Sequence, residues 1–249
     1  MYKFLEKLFE VKQFCQKFLY TFALNRHHKN GFRVLYRKSP NLLAELCDKY
    51  GSDKGSNSFG EKPYPWKPHN YTDYYFQLFE FKRAHVKNVF ECGIGTNNVT
   101  LPSNMTSTGK PGASLRVWRD YFYNANIYGA DVDSEILFQE DRIETYYMNQ
   151  LEVDSVKNYW DIVGKQNFDL MIDDGLHTFE AGKTLFENSI HRLNPDGIYI
   201  IEDVSPYDLH RFSQFFASKP FNIEIVTFSS PQRKHVETSL ISIRKPISK

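Results

Sequence analysis

The chain has 249 residues, 41% of them hydrophobic and 24% charged, enough for one substantial core and short of two independent domains. No apolar run approaches the roughly 18 residues that cross a bilayer, no small-residue cleavage site follows an apolar stretch, and Cys15, Cys47 and Cys92 form neither an even framework nor a metal-type pair, so a cytoplasmic protein is expected. The net charge of +1 hides an asymmetry: residues 1–39 carry nine Lys or Arg against Glu6 and Glu10, which leaves 22 basic and 28 acidic residues in the remainder.

Phe4, Leu8, Val11, Cys15, Phe18 and Phe22 recur at three- and four-residue spacing with lysines between them, which predicts an amphipathic helix over 2–24. Residues 1–40 thus read as a basic, helical N-terminal segment ahead of a body spanning 41–249. The apolar stripe is expected to pack against the body or a second copy of the chain, with peripheral contact to an anionic membrane as the sharper alternative. A helix over 42–49 follows and breaks at Tyr50-Gly51-Ser52-Asp53-Lys54-Gly55. Residues 51–70 read as a lid-like loop, because Tyr64, Trp66, Tyr71, Tyr74 and Tyr75 cluster in and just after it.

Beyond a helix over 71–82, strands and helices alternate: 88–92, 115–123, 126–131, 135–140, 144–148, 153–163, 168–172, 179–192 and 197–201. Short Val/Ile/Phe runs separated by helical segments predict an α/β fold with a doubly wound, mostly parallel sheet. In such sheets ligands bind beyond the carboxyl ends of the strands, so the residues there are the candidates for chemistry.

The first of these strands ends in Glu91-Cys92-Gly93-Ile94-Gly95, where glycines let the backbone approach a ligand closely. Asn98 stands where a dinucleotide fingerprint wants its third glycine, which argues against a nicotinamide or flavin enzyme, and Glu91 suits an ammonium or other cation. Asp131, at the end of the second strand, is the candidate for binding ribose hydroxyls, while Asp133 also suits a helix cap. Asn149 and Gln150 follow the third strand with amides fitted to a purine edge. Asp173, Asp174 and His177 follow the fourth, and Glu202 and Asp203 end the fifth. So many carboxylates at two neighbouring strand ends repel one another unless a cation intervenes, and oxygen donors select Mg²⁺, Mn²⁺ or Ca²⁺ over zinc. An acidic body without zinc-finger, RNP-type or basic-helix signatures excludes nucleic acid as a partner.

The set Glu91 to Gly95, Asp131 and the last two strands resembles the class I S-adenosylmethionine-dependent methyltransferases, with their Rossmann-like fold. It is most similar to the metal-dependent sugar O-methyltransferases of macrolide glycosides and surface-polysaccharide sugars. The motifs are Tyr50-Gly51-Ser52-Asp53-Lys54-Gly55, Pro111-Gly112-Ala113-Ser114-Leu115-Arg116, Ile172-Asp173-Asp174-Gly175-Leu176-His177 and Ile201-Glu202-Asp203. The resemblance implies that Glu91, Gly93, Gly95, Ser114, Asp131, Asp133, Asn149, Gln150 and Asp173 hold S-adenosylmethionine. It implies further that Asp174, Glu202 and Asp203 bind Mg²⁺ or Mn²⁺ and that His177 is the general base. Acceptor contacts are expected from His69, Tyr71, Tyr74 and the loop over 56–68. Leu176 stands where the family has a small polar residue, and the Pro-rich loop over 56–68 is longer than the family's, both of which bear on the acceptor.

The expected reaction is methyl transfer to a sugar hydroxyl, with a surface or capsular polysaccharide sugar such as a heptose, nucleotide-activated or in the finished glycan, as acceptor. A metal-dependent methyltransferase of catechols or other small molecules, and a non-catalytic scaffold of polysaccharide assembly, are the alternatives. A homo-oligomer is compatible with the composition.

Overall fold

A computed structural model describes residues 31–35, 40–56, 62–228 and 239–246. The predicted helix over 2–24 lies outside these residues, as does the centre of the 51–70 segment.

The helices begin where the sequence offers caps. The first, α1 (Leu42–Tyr50), starts at Asn41, whose side chain accepts the Ala44 N–H, and stops at Gly51 in the left-handed conformation, φ 83°. Then come α2 (Tyr71–Phe79), β2 (Asn88–Cys92), α3 (Ala113–Tyr121) and β3 (Asn126–Asp131), with β1 (Gly31–Leu35) ahead of them all. The C-terminal half adds β4 (Gln139–Glu140), β5 (Ile143–Tyr147), α4 (Val153–Val163), β6 (Phe168–Asp173), α5 (Phe179–Ser189), β7 (Leu193–Val204), α6 (Pro206–Phe216), β8 (Asn222–Phe228) and β9 (Ser239–Arg244). Thr178 caps α5, and Ser205 with Pro206 in the first turn starts α6.

The strands form one nine-stranded sheet among the described residues, in the order β1-β8-β9-β7-β6-β2-β3-β5-β4. All neighbours run parallel except around β9 and at the two-residue β4. From β2 the chain winds outward through β3 and β5, then returns to place β6 on the other side. The reversal opens a crevice beyond the ends of β2 and β6, the expected ligand position in a doubly wound sheet.

Two aromatic layers fill the faces. Leu43, Tyr71, Tyr75, Phe79, Trp118 and Phe122 bring α1, α2 and α3 onto one side, while Phe90, Tyr159, Trp160, Phe168, Phe186 and Phe212 bring α4, α5 and α6 onto the other. Alternation along β2 sends Val89 to the first layer and Phe90 and Cys92 to the second.

Two expectations change. Residues 135–140 are not a helix: a short 3₁₀ turn, Ser134–Ile136, leads into β4. Thr145 Oγ1 bonds both the N–H and the C=O of Phe138, which offers that backbone a partner other than a helical one. The segment 1–40 is not wholly helical, because 31–35 form a sheet strand on β8. In the described parts of 51–70, Lys54 and Ser56 are buried, and backbone bonds run from His69 N to Asp53 O and from Asn70 N to Gly55 O.

Candidate functional site

The crevice holds a cavity of about 600 Å³, within the usual range for a cofactor-sized ligand. Its floor is the turn after β2. Gly93 and Gly95 have φ of 85° and 86°, and a Cβ on Gly93 would stand 2.1 Å from the carbonyl oxygen of Asp174. Only glycine lets the β2 and β6 turns touch in this way. Asp131 borders the cavity with its carboxylate fixed by the Ile94 N–H at 2.9 Å and the Asp133 N–H at 2.9 Å. Burial raises its pKa, and those N–H groups pull it back.

Other cofactor candidates sit differently from expectation. Glu91, Ser114, Asp133 and Asp173 do not line the cavity. The pleat that turns Phe90 one way turns Glu91 the other, so its carboxylate lies under the sheet with Trp118 Nε1 donating to it at 2.7 Å and Ser114 beside it. Asp133 caps the 3₁₀ turn and accepts the Thr96 hydroxyl at 2.5 Å. Asp173 is buried, pushed up to about 6 by desolvation, and accepts Gln150 Nε2 at 2.8 Å. Gln150 lines the cavity, yet its amide is taken up at both ends, since Oε1 accepts the Leu176 N–H at 2.7 Å. Asn149 spends its amide on Glu152 and Leu151. Both amides thus shape the turns that border the cavity.

At one end of the cavity stand Asp174, His177 and Asp203, with ligand-capable atoms within 4.8 Å of one another. His177 is held at φ 58°, an uncommon conformation for a non-glycine residue, with Nε2 3.3 Å from Asp174 Oδ1 and 3.9 Å from Asp203 Oδ2. Burial opposes its charge, but the carboxylates of Asp174, Asp203 and Asp173 prevail and raise the imidazole to about 9.

His69 bridges two acids, Nε2 to Asp53 Oδ2 at 3.4 Å and Nδ1 to Asp203 Oδ1 at 3.2 Å. Tyr71 also donates to Asp203 Oδ1, from behind the cavity wall, and Trp66 Nε1 donates to Asp53 at 2.7 Å. Burial works against a carboxylate at Asp203, but His69, His177 and Tyr71 hold its pKa far below the usual range. Tyr74, expected at the acceptor, faces away, its hydroxyl donating to Glu224 at 2.6 Å from within the core.

Sequence reasoning missed Lys54 as a site residue. Its ammonium lies 2.5 Å from Asp174 Oδ2, 2.5 Å from Glu202 Oε2 and 3.2 Å from Glu91 Oε1. An ammonium does face Glu91, and it is the chain's own. Burial penalises that charge, but the three carboxylates outweigh it and keep Lys54 protonated. Glu202 is sealed behind the lysine, its second oxygen accepting the Tyr75 hydroxyl at 2.5 Å. Lys54 stands inside the first quoted motif, but no spacing rule ties it to strand ends 120 and 148 residues away. Asp53 was missed for the same reason, whereas Trp66 lines the cavity from within the loop expected to meet the acceptor.

The sheet and its crevice define a Rossmann-like α/β fold. No family model matches the chain. Among curated proteins it is 32% identical over 162 residues to the 8-demethyl-8-alpha-L-rhamnosyl tetracenomycin-C 2'-O-methyltransferase of Streptomyces olivaceus, covering 65% of this chain and 37% of that protein. It is 29% identical over 162 residues to the mycinamicin VI 2''-O-methyltransferase of Micromonospora griseorubida, covering 65% and 36%. Among solved structures it resembles the MycE methyltransferase of the mycinamycin biosynthetic pathway, in complex with Mg and SAH, with a TM-score of 0.51 and 28% identity over 67% of this chain and 40% of that one. The chain spans well under half the length of these relatives. The resemblance read from the motifs, to sugar O-methyltransferases, is thus matched by sequence relatives and by the fold.

Proposed function

We propose that the chain transfers a methyl group from S-adenosylmethionine to a sugar hydroxyl with the help of a divalent cation. The observation that carries this reading is the convergence of Asp174, His177 and Asp203 at one end of a cavity whose floor is the Gly93 turn. The relatives act on sugar-bearing antibiotics, and the MycE complexes contain Mg and SAH.

The residues fit both groups. The Gly93 and Gly95 turn and the fixed Asp131 carboxylate suit a nucleoside with a ribose, and the carboxylates of Asp174 and Asp203 are the oxygen donors that face the cavity for a hard cation, with Glu202 behind Lys54 able to join them only if that lysine moves. S-adenosylmethionine supplies the methyl group, and the cation, when bound, lowers the pKa of a nearby hydroxyl. His177, whose Nε2 lies 3.3 Å from Asp174 Oδ1 and 3.9 Å from Asp203 Oδ2, would take the hydroxyl proton once a cation engaged those carboxylates, which otherwise hold that nitrogen and keep the ring charged. His69 and Tyr71, both on Asp203 Oδ1, aim the second oxygen of Asp203 at His177 and the cavity. Trp66, stacked on Tyr64 at 5.6 Å between ring centroids, gives the acceptor an aromatic wall suited to a sugar ring.

We take the acceptor to be a surface-polysaccharide sugar such as a heptose, nucleotide-linked or in the finished glycan. An antibiotic glycoside is the second reading, favoured by the identities of the relatives. Calorimetric titration of S-adenosylhomocysteine into the purified protein, with Mg²⁺ and with chelator, is the first test. Binding supports the assignment and licenses a screen of sugars with labelled S-adenosylmethionine. No binding under either condition overturns it.

A further inference from the structure

Lys54 is a four-carbon stem ending in a buried ammonium among three carboxylates from three strand ends. Two of the contacts, to Asp174 and Glu202, are close hydrogen bonds of 2.5 Å. The third is not used in the same way. Glu91 is fully buried, yet its Oε1 accepts no hydrogen bond, although Nζ stands only 3.2 Å from it. That oxygen is ion-paired to the ammonium without receiving a hydrogen bond from it, which leaves it an acceptor that Nζ reaches by a small shift. Glu91 and Glu202 have their other oxygens tied to Trp118 and Tyr75, so the lysine, with its flexible stem, is the member of the cluster free to shift.

We propose that Lys54 is a positioning residue that exchanges carboxylates: it holds Asp174 and Glu202 apart and neutralised when no divalent ion is present, and moves onto Glu91 Oε1 when the ion takes them. The inference rests on the metal reading above and adds to it a resident cation with which the metal competes. Lys54 thereby keeps the empty centre folded, and Glu91 acts as its refuge rather than as a cofactor ligand.

The test is a double-mutant cycle on metal affinity, read by calorimetry of Mn²⁺ binding to chelator-treated full-length protein. Lys54→Met removes the competitor and is expected to tighten Mn²⁺ binding about tenfold. Glu91→Gln removes the refuge and is expected to weaken it about tenfold in the presence of Lys54, but by less than about threefold when Lys54 is already Met. Equal losses from Glu91→Gln in both backgrounds would reduce the effect to simple charge and overturn the exchange, as would unchanged or weaker binding by Lys54→Met. Crystals of the unaltered protein with and without Mn²⁺ supply a readout that needs no variant. Nζ is expected within hydrogen-bond distance of Glu91 Oε1 in the loaded form, and Nζ still seated on both Asp174 and Glu202 beside a bound ion would refute the exchange. If the unaltered protein binds no Mn²⁺ at all, the metal reading itself fails and takes this one with it.

Discussion

Gly93 meets Asp174 backbone to backbone, and the 2.1 Å that would separate a Cβ on Gly93 from the Asp174 carbonyl oxygen measures how closely the β2 and β6 turns are pressed together. The cavity floor and the acidic end of the site therefore share one joint. Gly93→Ala is expected to force that joint open, since its φ of 85° and the backbone contact both disfavour a side chain. The expected cost is about 3 kcal/mol or more, with loss of S-adenosylhomocysteine binding, measured by denaturant unfolding and calorimetry.

His177 adopts a conformation that asparagine tolerates better than most residues. His177→Asn is therefore expected to keep the turn and the fold while removing the base. Turnover should fall about 10²- to 10⁴-fold, with S-adenosylhomocysteine affinity within about twofold of the original. Full turnover in this variant would remove His177 from the reaction.

Trp66 lines the cavity, is joined to the site through Asp53 and is stacked on Tyr64. Trp66→Ala should raise the acceptor KM about tenfold and leave cofactor affinity alone. A change in cofactor affinity with an unaltered KM would move the acceptor elsewhere.

Asp120 fastens α1 to α3, accepting Lys49 Nζ at 3.1 Å, the Tyr50 hydroxyl at 2.5 Å and Arg119 Nε at 3.0 Å. Burial works against its charge, but these donors prevail and hold its pKa below 3.8. A depressed carboxyl adds stability above its unfolded pKa and loses it as pH falls through the folded value. Asp120→Asn should therefore lower Tm by a few degrees at neutral pH, less than about 1 kcal/mol for so exposed a group. The difference between the two proteins should close in strong acid, as followed by thermal melts across pH.

The strand-rich centre was legible because its signal is local: Val89, Phe90 and Cys92, or Leu170, Met171 and Ile172, are short apolar runs that only a twice-covered sheet buries. Acidic strand ends were legible for the same reason, and Asp174, His177 and Asp203 do converge. What escaped was the direction of side chains and the partners supplied from far along the chain. Glu91 and Gly93 are two residues apart, but the pleat and the turn send them to different compartments. Asp133 read equally well as a ligand or a cap, and Thr96 with the 3₁₀ turn settles its contacts as those of a cap. Lys54 carries no periodicity or spacing that would announce it, because its meaning comes from Glu91, Asp174 and Glu202 together.

The parallel pairing of Gly31–Leu35 on β8 has a practical consequence for handling the protein. A chain trimmed to begin at residue 41, where composition and charge suggest a boundary, would strip the outermost strand from the sheet. The β8 backbone would then present a row of unpaired N–H and C=O groups, an invitation to edge-to-edge association between copies. Trimming ahead of residue 31 leaves that edge covered.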